Sequence, residues 1–218
     1  MKTIFFESID NTQNYALENY DSEPLLVLSY SQDSGRGREK KEWQNADQSL
    51  AVSLVFENNN EKLNNTLIAL IAGFCFLEVI ENEELKLKWP NDINLKENKI
   101  GGILVEEHKG VICVGLGVNY FWANPSIPNA GSLYDEKIDN TLINSDAEKW
   151  GRLVLDFIEN NKFKLSEYKE KLTTLGKLVE YPEGRGWARD VDIDGSLIIE
   201  TPEGKYFNLT SPLITEVK

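Results

Sequence analysis

SQDSGRGREKKEW, residues Ser31 to Trp43, gathers four cations, Arg36, Arg38, Lys40 and Lys41, around two glycines in a chain that is otherwise acidic. Gly35 and Gly37 permit backbone dihedrals and close approaches that other residues resist. Main-chain N–H groups can then turn toward an anion while the guanidinium groups close over it. Arginine's planar fork suits carboxylate and phosphate oxygens. Taken alone, such a short cluster reads first as a solvated, flexible loop between two strands. Leu25 to Ser29 reads as the buried strand that delivers the chain into it, and Ser49 to Phe56 as the strand that follows.

Composition narrows the setting. A chain of 218 residues can bury a substantial core in one ordinary domain, with room for a small appendage. Lys plus Arg is 23 and Asp plus Glu is 36, a net charge of -13, which disfavours nonspecific binding to nucleic acid or to an anionic membrane. Cys75, in an apolar helical run, and Cys113, in an apolar strand, lack metal-ligand spacing and read as buried thiols of a reducing compartment. The N-terminus, MKTIFFESID, reaches Glu7 too early for a signal-peptide core. The longest apolar run, Leu67 to Leu77, is cut by Glu78 and falls short of the ~20 residues of a membrane span. A cytoplasmic, soluble protein is expected.

Working outward, Thr3 to Phe6 reads as a short strand, and Asn11 or Asp10 as the cap of a helix running toward Asn19. Leu63, Leu67, Leu70, Ile71, Phe74 and Leu77 recur at helical spacing, so Glu61 to Ile80 is expected as an amphipathic helix packed on a sheet. Leu85 to Trp89 suits a strand ended by Pro90, with Asn91 and Asp92 at the turn. Ile93 to Leu95 and Ile100 to Val105 form a hairpin whose connection is Lys96 to Lys99. Gly101 and Gly102 inside it mark a bulge or a ligand lying against the backbone. Lys109-Gly110 turns into the strand Val111 to Val118, and His108 beside that turn reads as an exposed surface residue. Residues 121–131 are an aperiodic loop, long enough for a lid. Ser145 with Glu148 reads as a capping box opening a helix lined by Trp150, Leu153, Val154, Phe157 and Ile158. A shorter helix follows from Lys164 to Leu172. After Thr173 the pattern changes to short strands, Leu178 to Tyr181, Gly186 to Val191, Leu197 to Thr201 and Tyr206 to Leu209, which indicate a small barrel.

Three more stretches follow the GRGR segment in order: KWPND, Lys88 to Asp92; KIGGILVE, Lys99 to Glu106; and GLGVN, Gly115 to Asn119. This ordered set resembles the biotin protein ligase family, from about Ile9 to Asn119 and more weakly beyond. The resemblance implies an α+β fold, a mixed or antiparallel sheet packed against helices, similar to class II synthetases, in residues 1–174. An SH3-like β-barrel would occupy residues 175–218. It further implies that biotin and ATP give biotinyl-5'-adenylate, from which biotin passes to a lysine of the biotin carboxyl carrier domain of acetyl-CoA carboxylase or related carboxylases. Magnesium is expected with the ATP phosphates, with no dedicated metal cage. A homodimer stays open. The catalytic pattern begins within the first residues, which leaves no room for the DNA-binding domain that some family members carry.

The resemblance also assigns roles. Arg36, Arg38 and Lys99 would supply positive charge where the biotin carboxylate attacks the α-phosphate, and Asp92 would orient magnesium, position the acceptor lysine, or simply fix the turn after Pro90. The biotin ring would meet Asn11, Thr12 and Gln13, where the family usually has Ser-Thr-Asn, together with Gln32, Gly35, Arg36, Lys99 and Gly102. The nucleotide would meet Arg36, Arg38, Trp43, Asn91, Lys99 and Asn119. Trp43 would lie against adenine, though a tryptophan there also serves as a lid over the core. Asn119 would bond the adenine edge or cap a turn. Lys40 and Lys41 stand where the family usually has Gly and Arg. A lipoate or octanoate transferase, which would need a long apolar slot, is the nearest alternative.

Overall fold

The structure is a computed structural model that describes residues 1–38, 41–58, 63–210 and 214–217. Lys40 and the expected helix start at Glu61 lie outside the described residues.

The first sheet has seven strands: β1 (Lys2–Ile9), β2 (Leu25–Gln32), β3 (Gln48–Glu57), β4 (Leu85–Lys88), β5 (Asp92–Leu95), β6 (Asn98–His108) and β7 (Val111–Phe121). They are ordered β1-β2-β3-β7-β6-β5-β4. β1 and β2 are parallel and the other neighbours antiparallel, which makes the sheet mixed. Parallel neighbours need a crossover, and α1 (Thr12–Glu18) supplies it. Strand alternation divides the side chains between two faces. Leu26, Leu28, Leu50, Val52, Leu54, Ile112, Val114, Leu116 and Val118 point into the main core. On the other face Leu25, Val27, Val55 and Cys113 pack against Ala16 of α1 in a smaller cluster.

α2 (Asn65–Ile80) departs from the amphipathic expectation, because every residue from Ile68 to Leu77 is buried. The sheet covers one side, where Gly73 lies against Leu87 and Ile103. α3 (Asn140–Glu159) covers another, with the Trp150 indole donating to the Ala72 carbonyl at 2.9 Å. A helix apolar all round is a buried helix. α3 itself starts well before the Ser145/Glu148 box: Asp139 is the cap, its carboxylate accepting from Thr141 N at 2.8 Å. Asp146, in the second turn, is buried and accepts from the Tyr120 hydroxyl at 2.9 Å. Burial raises the pKa of both groups above its ordinary value, so both hold their protons more tightly. α4 (Leu165–Lys171) follows as expected.

The C-terminal strands β8 (Leu178–Tyr181), β9 (Gly184–Val191), β10 (Leu197–Glu200), β11 (Tyr206–Leu209) and β12 (Thr215–Glu216) form one antiparallel sheet, ordered β11-β10-β9-β8-β12. Among the described residues β11 and β12 are its ends, with no pairing between them. β12, which follows the apolar pair Leu213-Ile214, was not read from the sequence. The sheet shares the main core, to which Val179, Ala188, Val191, Leu197, Ile199 and Leu209 contribute. Its β9–β10 turn reaches the start of α2, where Asn64 Nδ2 donates to the Asp194 carbonyl at 2.9 Å. Trp89, buried at the end of β4, joins the two units: its backbone N donates to Thr174 Oγ1 and its indole to the Gly195 carbonyl, both at 2.9 Å.

Trp89→Phe should therefore lower the unfolding free energy by about 2 kcal/mol or more, since it orphans a buried carbonyl and removes packed volume. Chemical denaturation followed by circular dichroism measures the effect.

Candidate active site

The site lies on the α1 face of the first sheet and follows from strand register. Directly paired residues share a face. One row crosses five strands as Ser29, Ala51, Gly117, Gly102 and Asp92. The adjacent rows carry Val27, Ser53, Gly115 and Leu104 on one side, and Ser49 and Asn119 on the other. Such small side chains leave a trough, which with the surrounding loops encloses a cavity of about 690 Å³.

Two of the floor glycines are occupied from above. A Cβ on Gly115 would stand 2.5 Å from Gln13 Oε1, and one on Gly117 would stand 2.8 Å from the Trp43 ring. Both positions exclude larger residues because another side chain already lies flat on the backbone. Gly35 is similarly pressed between Gln32 Nε2 and Trp43, each 3.2 to 3.3 Å from where its Cβ would be. Neither Gly35 nor Gly37 has a positive φ, so Gly35 is required here for space rather than for an unusual dihedral. The loop closes on itself through Trp43 N to the Gly35 carbonyl at 2.9 Å and Gly37 N to the Lys41 carbonyl at 2.7 Å.

The structure brings the expected biotin-ring residues together. Asn11 caps α1, accepting from Asn14 N at 3.0 Å, while its Nδ2 donates to the Ser34 carbonyl at 2.9 Å. Thr12 N and Oγ1 donate to Gln32 Oε1 at 2.7 and 3.0 Å. Gln13 Nε2 donates to Glu106 Oε2 at 2.9 Å, and Arg36 Nη2 pairs with the same oxygen at 2.8 Å. The other arm of Arg36 donates to Asn14 Oδ1 at 2.8 Å. The carboxylate of Glu106 thus holds Arg36 at the α1 end of the trough. Buried Cys113 lies under this group, and burial pushes its thiol up to about 12.

Arg38 and Lys99, the other two cations expected at the site, are anchored separately. Arg38 Nη1 donates to Asn91 Oδ1 at 2.5 Å, and Asn91 Nδ2 donates to the Ile103 carbonyl at 2.8 Å. Asn91 therefore spends both ends of its amide on the protein and positions Arg38. Lys99 Nζ pairs with Asp92 Oδ1 at 2.5 Å. Its chain crosses Gly102, whose absent Cβ would sit 3.5 Å from the ammonium nitrogen. Lys99 lies on β6 and not in the hairpin connection, which tightens to Lys96 and Glu97 with Lys96 at positive φ. Its backbone is bonded to the 121–131 loop, through Lys99 N to the Asn129 carbonyl at 2.7 Å and Gly131 N to the Lys99 carbonyl at 2.9 Å. Asn119 is buried, and its Nδ2 donates to the Gly131 carbonyl at 2.9 Å. Its Oδ1 has no hydrogen-bond partner among the described residues. A buried orphan acceptor at a cavity wall fits a ligand N–H such as the amino group of adenine.

Glu106, which holds Arg36 and Gln13, and several lining residues were not read from the sequence. Glu106 was legible as the alternate partner of Gly102 and Leu104 in KIGGILVE, and Ser53 as a serine inside the apolar run SLAVSLVF. Trp122 and Ile127 of the 121–131 loop, and Glu180, Tyr181, Pro182 and Ile214 of the C-terminal unit, reach the cavity only through tertiary packing. Among the described residues no group of three His, Cys, Asp or Glu side chains could hold a metal ion, and Asp92 is engaged with Lys99.

Residues 5–119 match the model of the biotin/lipoate A/B protein ligase family. The chain is 27% identical over 204 residues to the biotin–(acetyl-CoA-carboxylase) ligase of Mycobacterium tuberculosis, covering 85% of this chain and 76% of the relative. The solved biotin protein ligase of Aquifex aeolicus in complex with biotin and ATP is similar over 100% of this chain and 99% of its own, with 25% identity and a TM-score of 0.77. A biotin acetyl coenzyme A carboxylase synthetase from Helicobacter pylori, with bound biotinylated ATP, shows 25% identity and a TM-score of 0.66 over 95% and 99% of the two chains.

Gly117→Ala would drive a methyl into the Trp43 ring. If that ring forms one wall for a purine, nucleotide affinity should fall by about tenfold or more, as loss of base–aromatic stacking implies, while biotin affinity changes little. Calorimetric titration with each ligand separates the two.

Proposed function

The chain belongs to the biotin/lipoate A/B protein ligase family, and we propose that its site carries out the two steps of a biotin protein ligase. Biotin and ATP give biotinyl-5'-adenylate and pyrophosphate, and the neutral amine of a lysine on the biotin carboxyl carrier domain of a carboxylase then attacks the acyl carbon, forming the amide and releasing AMP and a proton. The observation that carries this reading is the convergence on one trough of Arg36, Arg38 and Lys99 with the Thr12–Gln32 pair and the orphan acceptor of Asn119. A cationic middle between a small polar pocket and a nucleobase acceptor fits an acyl adenylate.

Each residue has a distinct task in this reading. Attack by a carboxylate on an α-phosphate brings two anions together, so fixed positive charge is needed where they meet. Lys99 stands there as a point charge, with Asp92 holding it across Gly102. Arg36 and Arg38 neutralise the phosphate end from positions fixed by Glu106 and Asn91. Thr12 and Gln32 receive the ureido ring, with Asn11, Gln13, Gly35 and Gly102 shaping that pocket, and the strand around Leu104 offers an apolar wall for the aliphatic tail. Trp43 and Asn119 receive adenine, while Asp92 is placed to meet the incoming lysine once Lys99 has turned to the carboxylate. Magnesium enters only as the counter-ion of the nucleotide. We assign residues 1–174 to catalysis and residues 175–218 to a C-terminal unit that supports it. A cytoplasmic location agrees with two buried free thiols.

Incubation with biotin, magnesium and ATP labelled at the α-phosphate should give a biotin-dependent adenylate. Lipoate or octanoate should not replace biotin, and adenylate from either of these alone would sink the ureido assignment. Lys99→Ala and Arg36→Ala should each fold and lose adenylate formation by about a hundredfold, the scale of one electrostatic contact to a developing charge. A carrier domain incubated with these variants should remain unlabelled.

A further inference from the structure

Ser53 is fully buried on β3, in a run that is otherwise apolar, and it faces α1 and the trough. Its Oγ lies 2.9 Å from Thr12 Oγ1, and Thr12 in turn reaches Gln32 Oε1 through both its backbone N and its hydroxyl. The protons of this cluster can be counted. A backbone N–H only donates, so the Gln32 atom 2.7 Å from Thr12 N is the carbonyl oxygen, and the amide nitrogen faces the other way. That oxygen only accepts, so the 3.0 Å contact uses the single hydroxyl proton of Thr12. The bond between the two hydroxyls then has one possible direction, with Ser53 donating to Thr12. Thr12 is left with one lone pair, and Gln32 Nε2, beside Gly35, donates to no group among the described residues.

We propose that Ser53 is a positioning residue that fixes the polarity of the ring pocket. It orders the Thr12 hydroxyl so that the pocket presents a fixed acceptor beside a fixed donor. A cyclic urea, with N–H next to C=O, complements that pattern. The inference rests on the biotin reading above and extends it to a residue that acts through Thr12. Without the Ser53 proton the Thr12 hydroxyl is held by its bond to Gln32 alone, so the ligand N–H meets a less well oriented acceptor while the carboxylate and nucleotide ends are unchanged.

The test compares Ser53→Ala with the unsubstituted protein in pyrophosphate release. The KM for biotin should rise about tenfold, the loss of roughly one hydrogen bond, with kcat and the KM for ATP within about twofold. Inhibition by octanoate, which has the carboxylate and tail but no ureido ring, should be unchanged. Ser53→Cys, of similar size but a weak donor, should give the same selective rise and serves if the alanine variant is too unstable to assay. A biotin KM within about twofold of the parent, or equal weakening of octanoate and biotin, overturns the role of Ser53. Absence of any biotin-dependent adenylate from the unsubstituted protein overturns the underlying reading instead.

Discussion

One face of the main sheet has to stay unfilled, and the rest of the molecule is arranged around that constraint. The row Ser29, Ala51, Gly117, Gly102 and Asp92 crosses five strands with almost no apolar side chain to bury. A sheet whose functional face contributes so little to the core must obtain its stability from the other. That explains why α2 is buried on all sides and why α3 is packed over it. It also explains why the C-terminal sheet is drawn into the same core rather than forming one of its own. Glycine in a strand interior weakens it, yet here each floor glycine lies beneath a side chain that the site needs.

The electrostatics follow the same logic of fixed placement. The chain is strongly acidic, so its few clustered cations require partners that hold them without cancelling their use. Arg36 is held by Glu106, Lys99 by Asp92, and Arg38 by the neutral amide of Asn91. All of these groups are partly exposed, so the pairs add little to stability. Their value lies in geometry. A cation already oriented when the anions arrive needs no reorganisation in the transition state. Asn91 shows the economy of the arrangement, since one amide ties the turn after Pro90 to β6 and aims Arg38 at the same time.

Much of this was legible in the sequence because its signals are local. Strand alternation and the Gly-Arg, KWPND, KIGGILVE and GLGVN stretches located most of the first sheet and nearly every cation of the site. What failed was decided by tertiary contact. The spacing of leucines in α2 suggested a solvated face, but nothing in a single helix tells that a second layer will cover it. Ser145 and Glu148 have the form of a capping box, yet Asp139 already captures Thr141 N, so the helix starts earlier and Asp146 is carried into the core against Tyr120. Reading the strand from its first apolar residue, Ile100, leaves Lys99 in the connection, whereas β6 starts at Asn98. The actual turn is tighter, and the ladder between β5 and β6 shifts register between Ile93 and Asn94 to accommodate it.

The role of the C-terminal unit emerges only from the packing. Trp89 belongs to the KWPND stretch, but its indole is satisfied by the Gly195 carbonyl and its backbone N by Thr174, just ahead of the C-terminal sheet. Lys88, the neighbour of Trp89, lies 3.8 Å from Glu216 on β12, which also pairs with Lys177 at 2.9 Å. The turn that carries Asn91 and Asp92 is therefore clamped from behind by the second sheet. Arg38 and Lys99 are aimed by these two residues. The position of the cations is set by a chain of contacts that starts in the last strands of the protein, so the small sheet acts as part of the site's foundation and not as an appendage to it.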